Sequence, residues 1–419
     1  MKSVLNGLAI AGLTAAAFSN AAIPTVRAEP LKIALVETLS GGQAVTGKLF
    51  QAAVKFGLTK LEAEKAWPDG VVLLEYDNQG GAPEAADKVK AAINDGAHII
   101  IQGASSAIGG QITADIQKHN ARNPGKEVIY LNVGAEAMEF TGEKCHFYHF
   151  RWNGNAEIRL KAMLAAMKEA DVLGKKAFVI GQNYAWGLDV QKLAKQYAEF
   201  GGYTIVGDII HDVNKIQDFA PYVAKIKDAN PDTVITGNWS NDLLLLMKAA
   251  SDSGLKARFA AYWLDQPGNI ANAGATAIGH YNQASFYPDA NGEATAKFAE
   301  AFKAHAGAYP INVQGHTTHG IWGIGETLKA LGGTAGDKID IKKFAFAMEN
   351  VTVDTSMGPV KMRGDDHQAL IPLAVSVVSK DAKYKTDGTD MGFKTIKLLT
   401  GEQASGPVQP LCKMVRPAA

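Results

Sequence analysis

The sequence has 419 residues, too many for one ordinary hydrophobic core, so two domains are expected. Its 47% hydrophobic and 20% charged residues describe a soluble globular chain. Basic and acidic residues both number 42, so no basic excess is left to hold nucleic acid.

The first 28 residues stand apart. Lys2 supplies a short positive start, and Val4 to Phe18 is apolar and rich in small residues. Val26-Arg27-Ala28 places small side chains at both positions read by signal peptidase. This predicts a secretory signal peptide over residues 1–28, cleaved after Ala28. The apolar run is shorter than the ~20 residues a membrane anchor needs. No cysteine near the cut invites a lipid, and no later segment is long and apolar enough to cross a membrane.

From Leu31 onward, short apolar runs alternate with helical patterns. "LKIALVE" reads as a strand and Gly47 to Ala66 as a helix. "VVLLEYD", a helix from Pro83 to Asp95, "HIIIQG", a helix from Ile108 to Arg122 and "VIYLNVG" follow. After "FYHFRWNGN" the rhythm restarts with a helix from Ala156, then "AFVIGQN", "TIVGDII", "TVITGN" and "RFAAYW" with helices between them. Such alternation implies βαβ units and two mostly parallel sheets. The strands read as apolar throughout, as fully buried parallel strands should. Near Tyr287 the pattern breaks, and helices from Ala294 to His305 and from Gly315 to Leu331 follow. The segment from Thr355 to Val378 reads as a hairpin turning near Gly364.

Ligands of open α/β sheets bind beyond the carboxyl ends of the strands. In the first block those positions carry "TLSGGQAVTG", with Ser40 and Thr46, then "GASSAIGG" and "GAEAMEFT". In the second they carry "GQNYAWG", "GNWSND" and "YWLDQPG". Trp186, Trp239 and Trp263 thus fall at strand ends beside Tyr184 and Asp265, which favours an aromatic-walled cleft over three unrelated structural rings. Ser105 and Ser106 lie where a strand gives way to a helix. There they can form an anion cradle with the helix N–H groups, cap the helix, or act as the nucleophile of a G-x-S-x-G-like elbow. The cradle is the preferred reading. A hydrolase also needs a histidine and an acid brought to the serine by the fold.

Histidines appear as His146/His149 and His316/His319; the second pair is three apart in a probable helix and so shares a face, but no HExxH pattern accompanies it and no metal is assigned. They read as solvent-facing or hydrogen-bonded side chains. No phosphate-binding glycine motif follows any strand, and no cofactor is assigned. Cys145 and Cys412 are the only cysteines. In an exported chain they can form one disulfide tying the tail to the middle of the chain, or remain two separate buried thiols.

The ordered set "IALVETLSGGQAVTG", "AADKVKAAINDGAHIIIQGASSA", "GAEAMEFT", "FRWNGN", "VIGQNYAWGLDVQKL", "DFAPYVAKIKDANPDTVITG", "LLLLMKAASDSGLKARF" and "TSMGPVKMR" covers essentially the whole mature chain. It resembles the branched-chain (leucine/isoleucine/valine-type) amino-acid-binding family of periplasmic solute-binding proteins, which serve ABC importers. The resemblance implies the two-lobed type I fold with three hinge crossings. An N-terminal lobe over 29–150 plus 286–355 would join a C-terminal lobe over 151–285 plus 356–419. It implies that Ser105 and Ser106 hold a ligand carboxylate, that Gly134, Ala135 and Glu136 add contacts, and that Trp186 and Trp239 close from the second lobe. The family often has tyrosine where Thr46 stands. Its ammonium-holding acid aligns near Trp263, where the nearest acids are Asp265 and Glu136.

A branched-chain or related amino acid is therefore the first expected ligand, and an aromatic carboxylate or amide the alternative. The expected role is capture by hinge closure and delivery to a membrane permease, by a periplasmic monomer without enzymatic activity. A secreted serine hydrolase and a sensor of the same fold are the competing readings.

Overall fold

A computed structural model describes Met1 and residues 29–418. Apart from Met1, the expected signal peptide lies outside the described residues. Among those residues no helix is long and apolar enough to cross a membrane.

The alternation of apolar runs and helices builds a first sheet from β1 (Leu31–Glu37), β2 (Val71–Asp77), β3 (Ile99–Gln102), β4 (Ile129–Asn132) and β5 (His149–Arg151). These five pair in parallel in the order β2-β1-β3-β4-β5. The second sheet starts with β6 (Lys176–Gln182), β7 (Thr204–His211), β8 (Thr233–Thr236), β9 (Arg258–Ala261) and β10 (Tyr281–Ala284), parallel in the order β7-β6-β8-β9-β10. Central strands such as β3 and β8 are buried along their whole length. The expectation of uniformly buried strands fails at β2 and β7, which are only partly buried because each is a sheet edge.

Past β10 the chain returns to the first lobe, where helix Asn312–Leu331 packs along helix Ala44–Ala63. It then adds β11 (Thr352–Thr355), β12 (Gly358–Arg363) and β13 (Gln368–Leu370) to the first sheet. Only afterwards do β14 (Leu373–Ser379) and β15 (Gly392–Leu399) join the second sheet, antiparallel to β10 and to each other. The chain thus passes between sheets after β5, after β10 and between Leu370 and Leu373.

The last passage corrects the expected boundary at Thr355. The turn near Gly364 joins β12 to β13 within the first sheet, and β13 pairs with β5. Pro372 has no N–H to continue a ladder, and it lies where the chain changes sheet. Most helices start two or three residues before their expected first residue; Ser106–Arg122, for example, begins at the serine itself.

Cys145 and Cys412 are joined, with Cα atoms 5.5 Å apart and a sequence separation of 267.

Candidate functional site

Loops at the carboxyl ends of six parallel strands, three from each sheet, converge on one cavity with about 310 Å³ of empty space, part of it open to solvent. Thr46 follows β1, Gly103 to Ser106 follow β3, and Gly134 and Glu136 follow β4. Tyr184 and Trp186 follow β6, Trp239 follows β8, and Trp263 and Gln266 follow β9. Phe50 and Val313 complete the wall from helices Ala44–Ala63 and Asn312–Leu331.

The two lobes present their walls by one device. Thr46 and Trp186 each precede a glycine in the first turn of a helix. A Cβ on Gly47 would stand 1.7 Å from the Thr38 carbonyl oxygen, and one on Gly187 1.9 Å from that of Gln182. Only glycine lets each helix lie this close to the strand end that feeds it.

At the serine loop, Ser105 has φ +76° and ψ 121°, and no side chain caps the helix that follows. The first N–H groups of that helix and the positive end of its dipole therefore face the loop. The Ser106 hydroxyl accepts the Ala137 N–H at 3.1 Å and keeps its own proton to donate. Neither serine hydroxyl meets a histidine among the described hydrogen bonds, so the hydrolase reading gains no base here.

Glu136 is buried on the adjoining loop. Its Oε1 accepts from Arg159 and, at 3.3 Å, from Asn153, while its Oε2 has no partner among the described residues. Burial pushes this carboxyl up to about 7, against the pull of the Arg159 guanidinium. Arg159 is fixed from the second lobe. It donates to the Gln283 side chain at 2.6 Å and to the carbonyls of Gln283 and Tyr262, and it lies 4.2 Å over the Trp263 ring. On the opposite wall, Trp239 donates to the Tyr184 hydroxyl at 2.7 Å, which leaves the phenolic proton free. Trp186 donates to the Gly237 carbonyl at 2.7 Å, and the buried Trp263 indole N–H has no partner among the described residues. Beside the cavity the lobes touch where the Met138 N–H donates to Asp189 at 2.8 Å.

Two expected residues do not line this cavity. Ala135 is turned inward, with its N–H and C=O both bonded to the Asn132 side chain. Asp265 accepts the Asn312 N–H at 2.9 Å and borders a separate groove with Tyr309 and Tyr384. Of the two readings of His316 and His319, solvent-facing or hydrogen-bonded, the second is the one the structure shows. Both are buried, bonded to the Val133 carbonyl at 2.7 Å and the Ser356 hydroxyl at 3.1 Å. Sequence reasoning missed Phe50, Gln266, Val313 and Arg159. Nothing in the stretch "AEIRLKAM" marked Arg159 as buried, since Glu157 and Lys161 stand two positions to either side and give it the look of an ordinary solvated helix charge.

These buried groups set a pH profile. Burial lifts Glu37 and Glu136 to about 7 and Asp265 to about 6, so the folded state holds protons that the unfolded chain has lost. Stability then falls as pH rises between the ordinary acid value and those values. Burial lowers His146 and His280 to about 4 and His316 and His319 to about 3, which costs stability as pH falls below 6.5. Below that point the four histidines outnumber the three acids, whose effect has the opposite sign. The melting temperature of the ligand-free protein is therefore expected to peak at about pH 6.5 and to fall on both sides. A steady rise from pH 5 to 8 in thermal melts would contradict this.

A model of the periplasmic binding protein family matches residues 30–383. The chain belongs to the periplasmic binding protein family. It is 55% identical over 408 residues to the Leu/Ile/Val-binding protein homolog 4 of Brucella abortus, covering 97% of this chain and 98% of that one. A Brucella ovis leucine-, isoleucine-, valine-, threonine- and alanine-binding protein, solved in a closed conformation, superposes with a TM-score of 0.88. It is 56% identical, and the match covers 93% of this chain and all of that one. An R. palustris solute-binding protein in complex with benzoate shares the fold at a TM-score of 0.78 and 18% identity, over 92% of this chain and all of that one. Family members bind small molecules and work with ABC permeases, and they are binding proteins rather than enzymes. This binding protein is the periplasmic solute-binding component of an ABC importer, and its family is an exported one.

Proposed function

We propose that the binding protein captures a free α-amino acid with an aliphatic side chain, of the leucine, isoleucine and valine type. The observation that carries this reading is the pairing of opposite polar ends in one small cavity. A helix start with two serines offers donors, and Glu136 Oε2 offers a buried acceptor with no partner among the described residues. The ends are adjacent, because Ser106 is bonded to the residue that follows Glu136. A zwitterion satisfies both, its carboxylate at the serines and its ammonium at Glu136. The apolar side chain then meets Phe50, Val313 and the indoles. The names of the Brucella relatives point the same way.

The signal peptide would be cleaved after Ala28, and the mature chain would act in the periplasm as a monomer. Residues up to Arg151 and from Ser285 to Leu370 would move as one lobe against the rest, closing on the ligand by rotation at the three passages. Closure over the ligand would create the form that docks on the permease.

Mutating both serines (S105A with S106A) is expected to weaken leucine binding by about 3 kcal/mol, roughly a hundredfold. Isothermal titration checks this, and an unchanged dissociation constant would remove the carboxylate cradle.

A further inference from the structure

Glu37 is the last residue of β1, fully buried, and takes no part in the cavity wall. Its Oε2 accepts the Gly103 N–H at 2.8 Å and the Ala104 N–H at 3.1 Å, and its Oε1 accepts the Thr38 N–H at 2.8 Å. The carbonyl of Ala104 is held too, by the Gln102 side chain, whose own oxygen accepts the Tyr130 hydroxyl at 2.6 Å. Ala104 is thus pinned at both its donor and its acceptor. The next residue, Ser105, is the one forced to φ +76° immediately before the helix start. A non-glycine side chain does not hold that conformation unless its surroundings impose it.

We propose that Glu37 is a positioning residue for ligand binding: its carboxylate clamps the Gly103–Ala104 backbone, which holds Ser105 left-handed and aims the start of the following helix into the cleft. The inference rests on the reading that this loop takes the ligand carboxylate.

The chemistry of Glu37 suits a clamp. Two carboxylate oxygens accept three N–H groups, whereas a glutamine would set an NH₂ group against at least one of them. The clamp also decides which donors reach the ligand. Gly103 and Ala104 have spent theirs on Glu37, leaving the N–H groups from Ser105 onward and the hydroxyls.

The test is a double-mutant cycle in full-length mature protein, with leucine affinity measured by titration calorimetry. The four chains are S105A, S105G, E37Q/S105A and E37Q/S105G. Both backgrounds lack the hydroxyl and differ only in how easily the residue adopts positive φ. E37Q is expected to weaken binding about tenfold or more beside alanine, and less than about threefold beside glycine, which reaches positive φ without the strain the clamp must otherwise offset. Equal losses in the two backgrounds, or no loss in either, would overturn the proposal. If E37Q does not fold, E37D keeps the charge, shortens the reach and enters the same cycle with the same expected contrast. The parent reading fails separately. If S105A with S106A leaves leucine binding intact, the cradle itself is wrong. If that pair weakens binding while the cycle shows no contrast, only the clamp is wrong.

Discussion

Replacing Glu136 with glutamine is expected to weaken amino-acid binding by about 2–5 kcal/mol, roughly 30-fold to several thousandfold. The carboxylate has two oxygens with two tasks. One is committed to Arg159 and Asn153, and the other is buried without a partner. Glutamine has a single oxygen. Arg159 is locked in place by Gln283 and the Tyr262 carbonyl, so it would claim that oxygen. The amide NH₂ would then face the ligand ammonium, donor against donor. The sign with pH follows from the same group. Only ionised Glu136 attracts an ammonium, and its carboxyl sits at about 7, so wild-type affinity should rise from pH 6 to pH 8. In E136Q this contribution disappears. A variant that binds leucine like the wild type, with the same pH profile, would take Glu136 out of the ligand shell.

The second large effect concerns the disulfide. Changing both cysteines (C145S with C412S) is expected to lower the stability of the mature protein by about 4–5 kcal/mol, because the bond closes a very long loop in the unfolded chain. The tail it secures leaves the second lobe at helix Gly401–Ala404 and returns to the first. The non-covalent contacts along the way are scattered single hydrogen bonds, most of them exposed, and the packing of Met414 on the core. The Arg363 side chain holds the Gly406 carbonyl, Gln409 donates to Glu157, and Arg416 donates to Glu349. They leave most of the restraint to the covalent bond. Urea unfolding of the oxidised wild type and the double variant measures the difference. A loss under about 1 kcal/mol would show that the tail and the loop are held without it.

How much of this was legible in the sequence depends on the range of the interactions involved. Apolar runs such as Ile99–Ile101, followed by small residues and an amphipathic stretch, are local signals, and they placed Ser105 and Ser106 at a strand-to-helix junction. The tryptophans after β6, β8 and β9 were visible for the same reason, since each follows an apolar run directly. What was misread depends on long-range pairing. The turn near Gly364 was apparent, but whether β13 sits beside β5 or beside β14 is decided by contacts more than 200 residues away. The choice between Glu136 and Asp265 could not be made locally either. Each follows a strand, and only the packed structure sends Asp265 to the Asn312 N–H and leaves Glu136 beside the cavity. Phe50 and Val313 belong to helices whose apolar faces look like ordinary core, so nothing in their spacing marked them as wall.

The central claim is that the cleft reads both ends of an amino acid. Titration calorimetry of residues 29–419 with leucine, and with 4-methylpentanoate, the same molecule without its amino group, tests it most directly. The account predicts that leucine binds and that the deaminated acid binds at least about a hundredfold more weakly, because it leaves the buried carboxylate oxygen of Glu136 unsatisfied. Equal affinity for the two, or tighter binding of the acid, would contradict it.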